Sequence, residues 1–344
     1  MAAKRFSSLE GTFLRNPSLK TDYTKVINEY LHLSHADIVP KMLQNDLGNN
    51  AYFLPHFAVV KDSGSSKTRV VFDASARTST GLSLNDVLFT GPQVQPNLYN
   101  IVLRLRSFRF VLTADIQKMY RQIHVNPKHQ FVLNFLWRDN PQDKLQSVQR
   151  NRLVFGTMPA PYLATRVLNH LAEVNKEKYP FAYDALTSQT YIDDILSGCN
   201  DETHLRILFQ QLNEVLTSAK FSLHKYTSNS LQFLRSLSID STAIEEVDMD
   251  PSTSKLLGLK WSPFDDCFFF TSPTIKVSGA VTRRVILSIV AKCFDPVGFL
   301  SPVILLGKLL VQKVWTLRVG WDDPVTDITV LTEWNTFLKE LYNM

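Results

Sequence analysis

Asp193 and Asp194 are adjacent acids set between two apolar pairs, Tyr191-Ile192 before them and Ile195-Leu196 after. Like charges side by side against a core repel, and each is costly to desolvate unless a cation neutralises it. The pattern reads as a tight hairpin with two carboxylates at its tip; a solvated acidic turn is the plain alternative. Neighbours in an extended strand point to opposite faces, so Asp193 is expected to aim at a bound cation and Asp194 to lie at its edge. Asp115 sits near the end of the apolar run Phe110-Val-Leu-Thr-Ala-Asp-Ile, where a charge needs a reason. Two strand-borne acids distant in sequence can face each other across a sheet. Together they would suit two Mg²⁺ ions, which take hard oxygen ligands and share them with phosphates, with Mn²⁺ as a substitute. Two metals about 4 Å apart can clamp an in-line phosphoryl displacement.

The elements that would carry these acids are mixed. Tyr23, Val26, Ile27, Tyr30 and Leu31 fall at helical spacing. Ala58-Val-Val-Lys61 and Thr68-Arg-Val-Val-Phe72 read as strands joined by a polar Gly/Ser turn over 62–66. Ser83 to Phe89, Leu98 to Phe108 and Pro161 to Val174 read as helices, and Gln130 to Trp137 as a strand. After the acidic pair, Asn200 is the expected N-cap of a helix whose buried stripe is Leu205, Leu208, Leu212 and Val215. Lys255 to Trp261 and Cys267 to Thr271 read as two strands. From Thr282 onward three helices are expected, with breaks near Pro296 to Pro302 and Gly320 to Pro324. Strands and helices do not alternate regularly, so the class is α+β rather than a doubly wound sheet.

A chain of 344 residues suits several subdomains around a cleft, and 44% hydrophobic content allows a sizeable core. The net charge is +5, which fits a polyanionic partner without requiring one. The excess is concentrated: Lys276 to Arg318 holds seven basic residues and one acid, Asp295, and Tyr99 to Gln130 holds six and one acid, Asp115. Solvated helix faces would explain both stretches as well. Cys199, Cys267 and Cys293 are far apart and form no CxxC pair, so a zinc site is not expected and a reducing compartment is. No secretory signal or membrane span is read, and a cytoplasmic location is expected, with the nucleus as an alternative.

Several motifs in order carry a resemblance. Tyr191-Ile-Asp-Asp194 resembles the Tyr-x-Asp-Asp motif of reverse transcriptases, and Leu112-Thr-Ala-Asp115 with Tyr120 resembles their first catalytic motif. Val154-Phe-Gly156-Thr-Met-Pro-Ala160-Pro161 is similar to the segment that buttresses the nascent base pair, and Arg69-Val-Val-Phe-Asp73 to the motif whose Arg contacts the incoming triphosphate. Ser83-Leu-Asn-Asp86 with Gly91-Pro92, Phe135-Leu-Trp137-Arg, and Phe294-Asp-Pro-Val-Gly298 are similar to sequences of the BEL/Pao group of LTR retrotransposons. The likeness covers nearly the whole chain.

The resemblance implies an α+β right hand that copies RNA into DNA, with RNA template, DNA primer or RNA–DNA hybrid, and dNTPs as partners. Its expected parts are an N-terminal helical extension (1–50), fingers (51–98 and 126–153), a palm with an antiparallel sheet (99–125 and 154–272), and a helical thumb with the start of a connection (273–344). Asp115, Asp193 and Asp194 would be the catalytic acids, with the carbonyl of Ile116 as a further metal ligand. Lys225 would protonate the leaving pyrophosphate; a solvated strand-end lysine is the alternative. Arg69, with Lys61 a weaker candidate, would bind the triphosphate through its fork of N–H groups. Phe155 and Gly156 would lie against the nucleotide. Tyr120 would block a 2′-hydroxyl, unless it is a core tyrosine. Tyr191 would touch the template-primer. The segment Leu257-Gly258-Leu-Lys260-Trp261 would be the primer grip, with Gly258 allowing close approach of the primer, and Arg283 and Arg284 would hold the duplex by its phosphates. Phe155 departs from the Gln of retroviral enzymes. Asp62-Ser63-Gly64 spells an aspartic-peptidase triplet, but its polar flanks favour a turn. No segment is recognised as ribonuclease H or integrase, and a fragment of a longer polyprotein is one expectation. A catalytically inactive nucleic-acid-binding remnant is the competing reading.

Overall fold

In the computed structural model, residues 1–40, 51–60, 68–240, 254–270 and 279–342 are described. In chain order they form α1 (Ala2–Arg15), α2 (Pro17–His32), β1 (Ala36–Ile38), β2 (His56–Val59), β3 (Arg69–Phe72), α3 (Leu84–Val87), α4 (Leu98–Leu105), β4 (Phe110–Ile116), α5 (Met119–Gln122), β5 (Asn134–Trp137) and β6 (Gln146–Arg150). Then come α6 (Ala160–Asn175), α7 (Pro180–Ser188), β7 (Thr190–Tyr191), β8 (Asp194–Cys199), α8 (Glu202–Ser218), β9 (Leu223–Ser228), α9 (Leu231–Asp240), β10 (Ser254–Leu256), β11 (Leu259–Ser262), β12 (Cys267–Phe269), α10 (Arg283–Lys292), α11 (Ser301–Thr316) and α12 (Ile328–Tyr342). All the strand pairings with a given register are antiparallel, and with the mixed order of helices they make the class α+β. Among the described residues no helix is long and apolar enough to cross a membrane.

The chain divides into two compact units. The first comprises 1–95, 116–187 and 209–223. Its core is aromatic: Phe6, Phe13, Tyr23, Phe72, Phe135 and Trp137 bury one another. The start of α2 is set by Asn16, whose side chain accepts from the Leu19 N–H, and by Pro17 in the first turn. Tyr23, Ile27 and Tyr30 make its buried stripe, as their spacing predicts. β2 and β3 pair antiparallel from His56↔Phe72 to Val59↔Arg69, the expected hairpin; its turn over 62–66 lies outside the described residues. The strand expected over Gln130 to Trp137 is shorter. Pro127–Val132 is a 3₁₀ turn, opened by Pro127 and capped by Asn126, and only Asn134–Trp137 pairs.

The second unit comprises 96–115, 188–208 and 224–344. A four-stranded sheet of order β7-β8-β4-β9 carries the acids. Helix α8, whose residues 202–208 belong to this unit and 209–218 to the first, buries Leu205, Leu208, Leu212 and Val215 as expected. Its cap is Asp201, whose carboxylate accepts from the His204 N–H, while Asn200 instead accepts from the Arg109 N–H. The strand expected over Lys255 to Trp261 is two strands. Leu257 and Gly258, both at positive φ (51° and 92°), fold it into the β10-β11 hairpin, and β12 completes a three-stranded sheet. The three expected terminal helices α10, α11 and α12 pack around Trp334 and Phe337.

Candidate active site

Strand β4 buries Val111, Leu112, Ala114 and Ile116 and leaves Asp115 half-exposed. β8 runs antiparallel to it with Asp115 directly opposite Asp194. Opposed residues of an antiparallel pair share a face, with Cβ atoms about 5 Å apart. The strand-alternation argument therefore does not apply to Asp193, whose aim is set by the loop and not by the strand. Tyr191 pairs with Asp194, so Ile192 and Asp193 are the two residues of the hairpin loop. Asp193 is not in a strand, and the carboxylate facing Asp115 is that of Asp194. The loop has φ +57° at Ile192. A β-branched residue there is strained, and such strain persists where the surroundings over-determine it, often at functional sites. Spacing alone did not reveal it.

Lys225, on β9, also has a left-handed backbone, φ +54°. Its Nζ donates to Asp115 Oδ2 at 3.1 Å. Burial, and then the charges of Asp193 and Asp115, push the Asp194 carboxyl up to about 6, with Lys225 pulling the other way. The Asp194 carboxyl thus sits in a field that favours added positive charge, and the Lys225 ammonium already answers part of it. In this conformation no three acidic, imidazole or thiol groups among the described residues are gathered closely enough to hold an ion. The donor chemistry fits a hard divalent cation. The Ile116 side chain is fully buried; being hydrocarbon, it leaves only the main-chain carbonyl as a possible ligand.

The candidate nucleotide-contacting residues belong to the first unit. Arg69 is exposed on β3 and makes no ion pair with a described residue. Lys61 lies outside the described residues. The ring of Tyr120, 3% exposed, is covered by that of Phe155, 53% exposed, with centroids 3.9 Å apart. Gly156 has φ +95°, and a Cβ there would come within 2.5 Å of the Phe72 carbonyl oxygen. Asn85, to which sequence reading gave no role, donates to the Gly156 carbonyl (2.9 Å) and accepts from the Met158 N–H (2.8 Å). It pins the Phe155 turn from α3, whose own start is a Ser83–Asp86 capping box. The motif around Ser83 is thus a support for the motif around Gly156.

Several of the candidate duplex contacts pack or bond within the chain. Tyr191 is half-buried against Ile101, Leu105 and Val111. Trp261 is wholly buried and donates to Asp266, which also accepts from Arg106, so it is core and not a primer contact. Lys260, next to it, is half-exposed. A Cβ at Gly258 would come within 2.7 Å of the Phe294 ring, while the glycine itself remains exposed on its other side. Arg283 donates to the carbonyls of Val314, Trp315 and Leu317, which a helix end leaves without partners. Arg284 makes a two-pronged pair with Asp322 (2.7 and 2.9 Å). Arg283 is thus engaged by its own chain, while the Arg284–Asp322 pair stays largely exposed.

Comparison with known proteins places these features in a family. Residues 60–244 match the model of the reverse transcriptase (RNA-dependent DNA polymerase) family. Residues 282–343 match a Pao retrotransposon-like RNaseH-like domain, where sequence reading recognised no ribonuclease H. The described residues of that stretch are the helices α10 to α12. No curated protein matches in sequence. Among solved structures, the foamy viral protease-reverse transcriptase in complex with double-stranded DNA aligns with a TM-score of 0.61 at 14% identity, over 94% of this chain and 48% of that one. The same viral protein in complex with an RNA/DNA hybrid gives 0.60 at 15%, over 95% and 37%. At such identity the likeness is one of fold, and the chain spans less than half the length of these structures. With a family model over more than half of its residues and a Pao-type model over its helical end, the chain belongs to the reverse transcriptase family, of the BEL/Pao retrotransposon type.

Proposed function

We propose that the chain is the polymerase core of an RNA-directed DNA polymerase, adding dNTPs to a primer 3′-hydroxyl on an RNA template. The observation that carries this reading is the facing pair Asp115 and Asp194 with Asp193 in the adjoining loop. These carboxylates would hold two Mg²⁺ ions, with the Ile116 carbonyl as a further ligand. Cations bound there lower the pKa of an attacking hydroxyl and neutralise a leaving pyrophosphate. Lys225, beside Asp115, would give a proton to that leaving group. Arg69 would take phosphate oxygens in its fork, and the Tyr120–Phe155 stack would exclude a 2′-hydroxyl. In the right-hand description the four-stranded sheet is palm, β2-β3 is fingers and α10 to α12 begin the thumb. The family's setting implies a cytoplasmic particle as the place of work.

The intact acid set argues against a catalytically inactive remnant, which would be free to lose it. The test is primer extension on an RNA template with Mg²⁺. Dideoxy-terminable extension that vanishes with EDTA supports the reading. Duplex binding without extension would replace it with the remnant.

A further inference from the structure

The segment Phe294-Asp-Pro-Val-Gly298-Phe299 joins α10 to α11 and reaches the β10-β11-β12 sheet at two points. The Phe294 ring lies on the positive-φ turn at Gly258, so close that a Cβ there would be 2.7 Å from its Cε1. The Phe299 ring meets Phe270, just past β12, edge-on with centroids 6.3 Å apart. Between these rings Asp295 makes the connector rigid. Its carboxylate accepts from the N–H groups of Gly298 (2.8 Å), Phe299 (3.0 Å) and Leu300 (2.6 Å), three charge-assisted bonds in one turn. Both phenylalanines remain about half exposed, so neither position is explained by core burial alone.

We infer that the Phe294–Phe299 connector is a two-point latch that positions the β10-β11 hairpin, with Phe294 a positioning residue for the primer end. The hairpin turn needs such a clamp. Leu257 has φ +51°, a conformation costly for a residue with a Cβ, and among the described residues β10 is an edge strand, paired on one side only. The far edge of the same sheet is fixed by another route, the Arg106–Asp266–Trp261 network. The turn itself is held by the connector. That the latched hairpin guides a primer rests on the polymerase reading; that it is latched does not.

The test uses the full chain with Phe294→Ala and the conservative Phe294→Leu. Hydrogen exchange at the amides of 256–262 should quicken by about tenfold in Phe294→Ala, with partial restoration in Phe294→Leu. On preformed primer–template complexes the rate of the first nucleotide addition should fall in Phe294→Ala, with duplex affinity and melting temperature nearly unchanged. Unchanged exchange in folded Phe294→Ala overturns the latch. Quickened exchange with an unchanged addition rate overturns the positioning role. If Phe294→Ala does not fold, Phe299→Ala removes the second contact, and the exchange measurement decides in the same way. Absence of extension by the wild-type chain would refute the polymerase reading and leave the exchange result to judge the latch.

Discussion

The ammonium of Lys225 lies 3.1 Å from Oδ2 of Asp115, delivered there by a backbone held in the left-handed region. As general acid, Lys225 should matter to chemistry and little to duplex binding. Lys225→Met is expected to slow single-turnover nucleotide addition by about 10²-fold or more at near-normal template-primer affinity. Lys225→Arg separates charge from proton donation, because a guanidinium can pair with Asp115 but does not release a proton near neutrality. Full activity in Lys225→Arg would reduce the lysine to a counter-ion.

Asp115→Asn and Asp193→Asn should each abolish extension and leave duplex binding nearly intact, since most duplex affinity comes from phosphate contacts. The facing geometry puts Asp194→Asn in the same class, where the alternation argument had it milder. Primer extension beside a filter-binding measurement decides.

Asp194 also makes a pH prediction. Its carboxyl is raised from the ordinary 3.8 to about 6 by burial and by its acidic neighbours. Between those values the folded chain binds more protons than the unfolded one, so stability falls as pH rises through the window. Asp194→Asn removes that penalty. In EDTA the variant should be more stable than wild type at pH 7.5, by on the order of 1–2 kcal/mol once partial solvent screening is allowed for, and equal to it below about pH 4. Denaturant unfolding at pH 4, 5.5 and 7.5 measures this. A constant difference across the range would mean that Asp194 does not titrate in the window.

The parts that were legible in sequence share a cause: they depend on local pattern. The helical stripe from Leu205 to Val215, the β2-β3 pairing and the strand ending at Asp115 all follow from periodicity and turn residues. What was missed depends on residues distant in sequence or on backbone conformation. Asn85 reaches Gly156 across 71 residues, and nothing near either position signals it. Trp261 looked like a primer contact beside a glycine until Asp266 was found holding its indole. Arg283 and Arg284 read as phosphate ligands because charge is visible in sequence, whereas their partners, the end of α11 and Asp322, are not.

Arg283 and Arg284 should accordingly leave the salt dependence of duplex binding alone. Two lost phosphate contacts would flatten the slope of log affinity against log salt by about 1.8, at about 0.9 per contact; neutralising both is expected to change it by much less. Arg283→Ala should instead destabilise the helical bundle by about 1–3 kcal/mol, because part-buried carbonyls lose their donor. Arg284→Ala, breaking an exposed pair, should do little. Salt titrations of binding and thermal melts of the single variants separate the outcomes. A slope reduced by the full two contacts would return these arginines to the duplex.

Sugar selection should divide unequally between Tyr120 and Phe155. The buried ring, Tyr120, touches solvent almost nowhere, and the ring that covers it, Phe155, is the one a ribose could meet. Exclusion by a clash rejects the larger substrate without needing contacts to the smaller one. Phe155→Ala should therefore still extend with deoxynucleotides while accepting ribonucleotides better. Fitting extra atoms into a filled site costs about 1–3 kcal/mol, so the ribo/deoxy discrimination should relax by roughly 5- to 150-fold. Tyr120→Ala removes the support of that ring and a core side chain together. It should lose about 3–5 kcal/mol of stability and lower activity with both sugars, while Tyr120→Phe, which keeps the stack, should leave the ratio unchanged. The measurement is the ratio of incorporation efficiencies for the two sugars in each variant, read beside a melting temperature. A relaxed ratio in Tyr120→Ala at wild-type stability, with no change in Phe155→Ala, would assign the exclusion to Tyr120 itself.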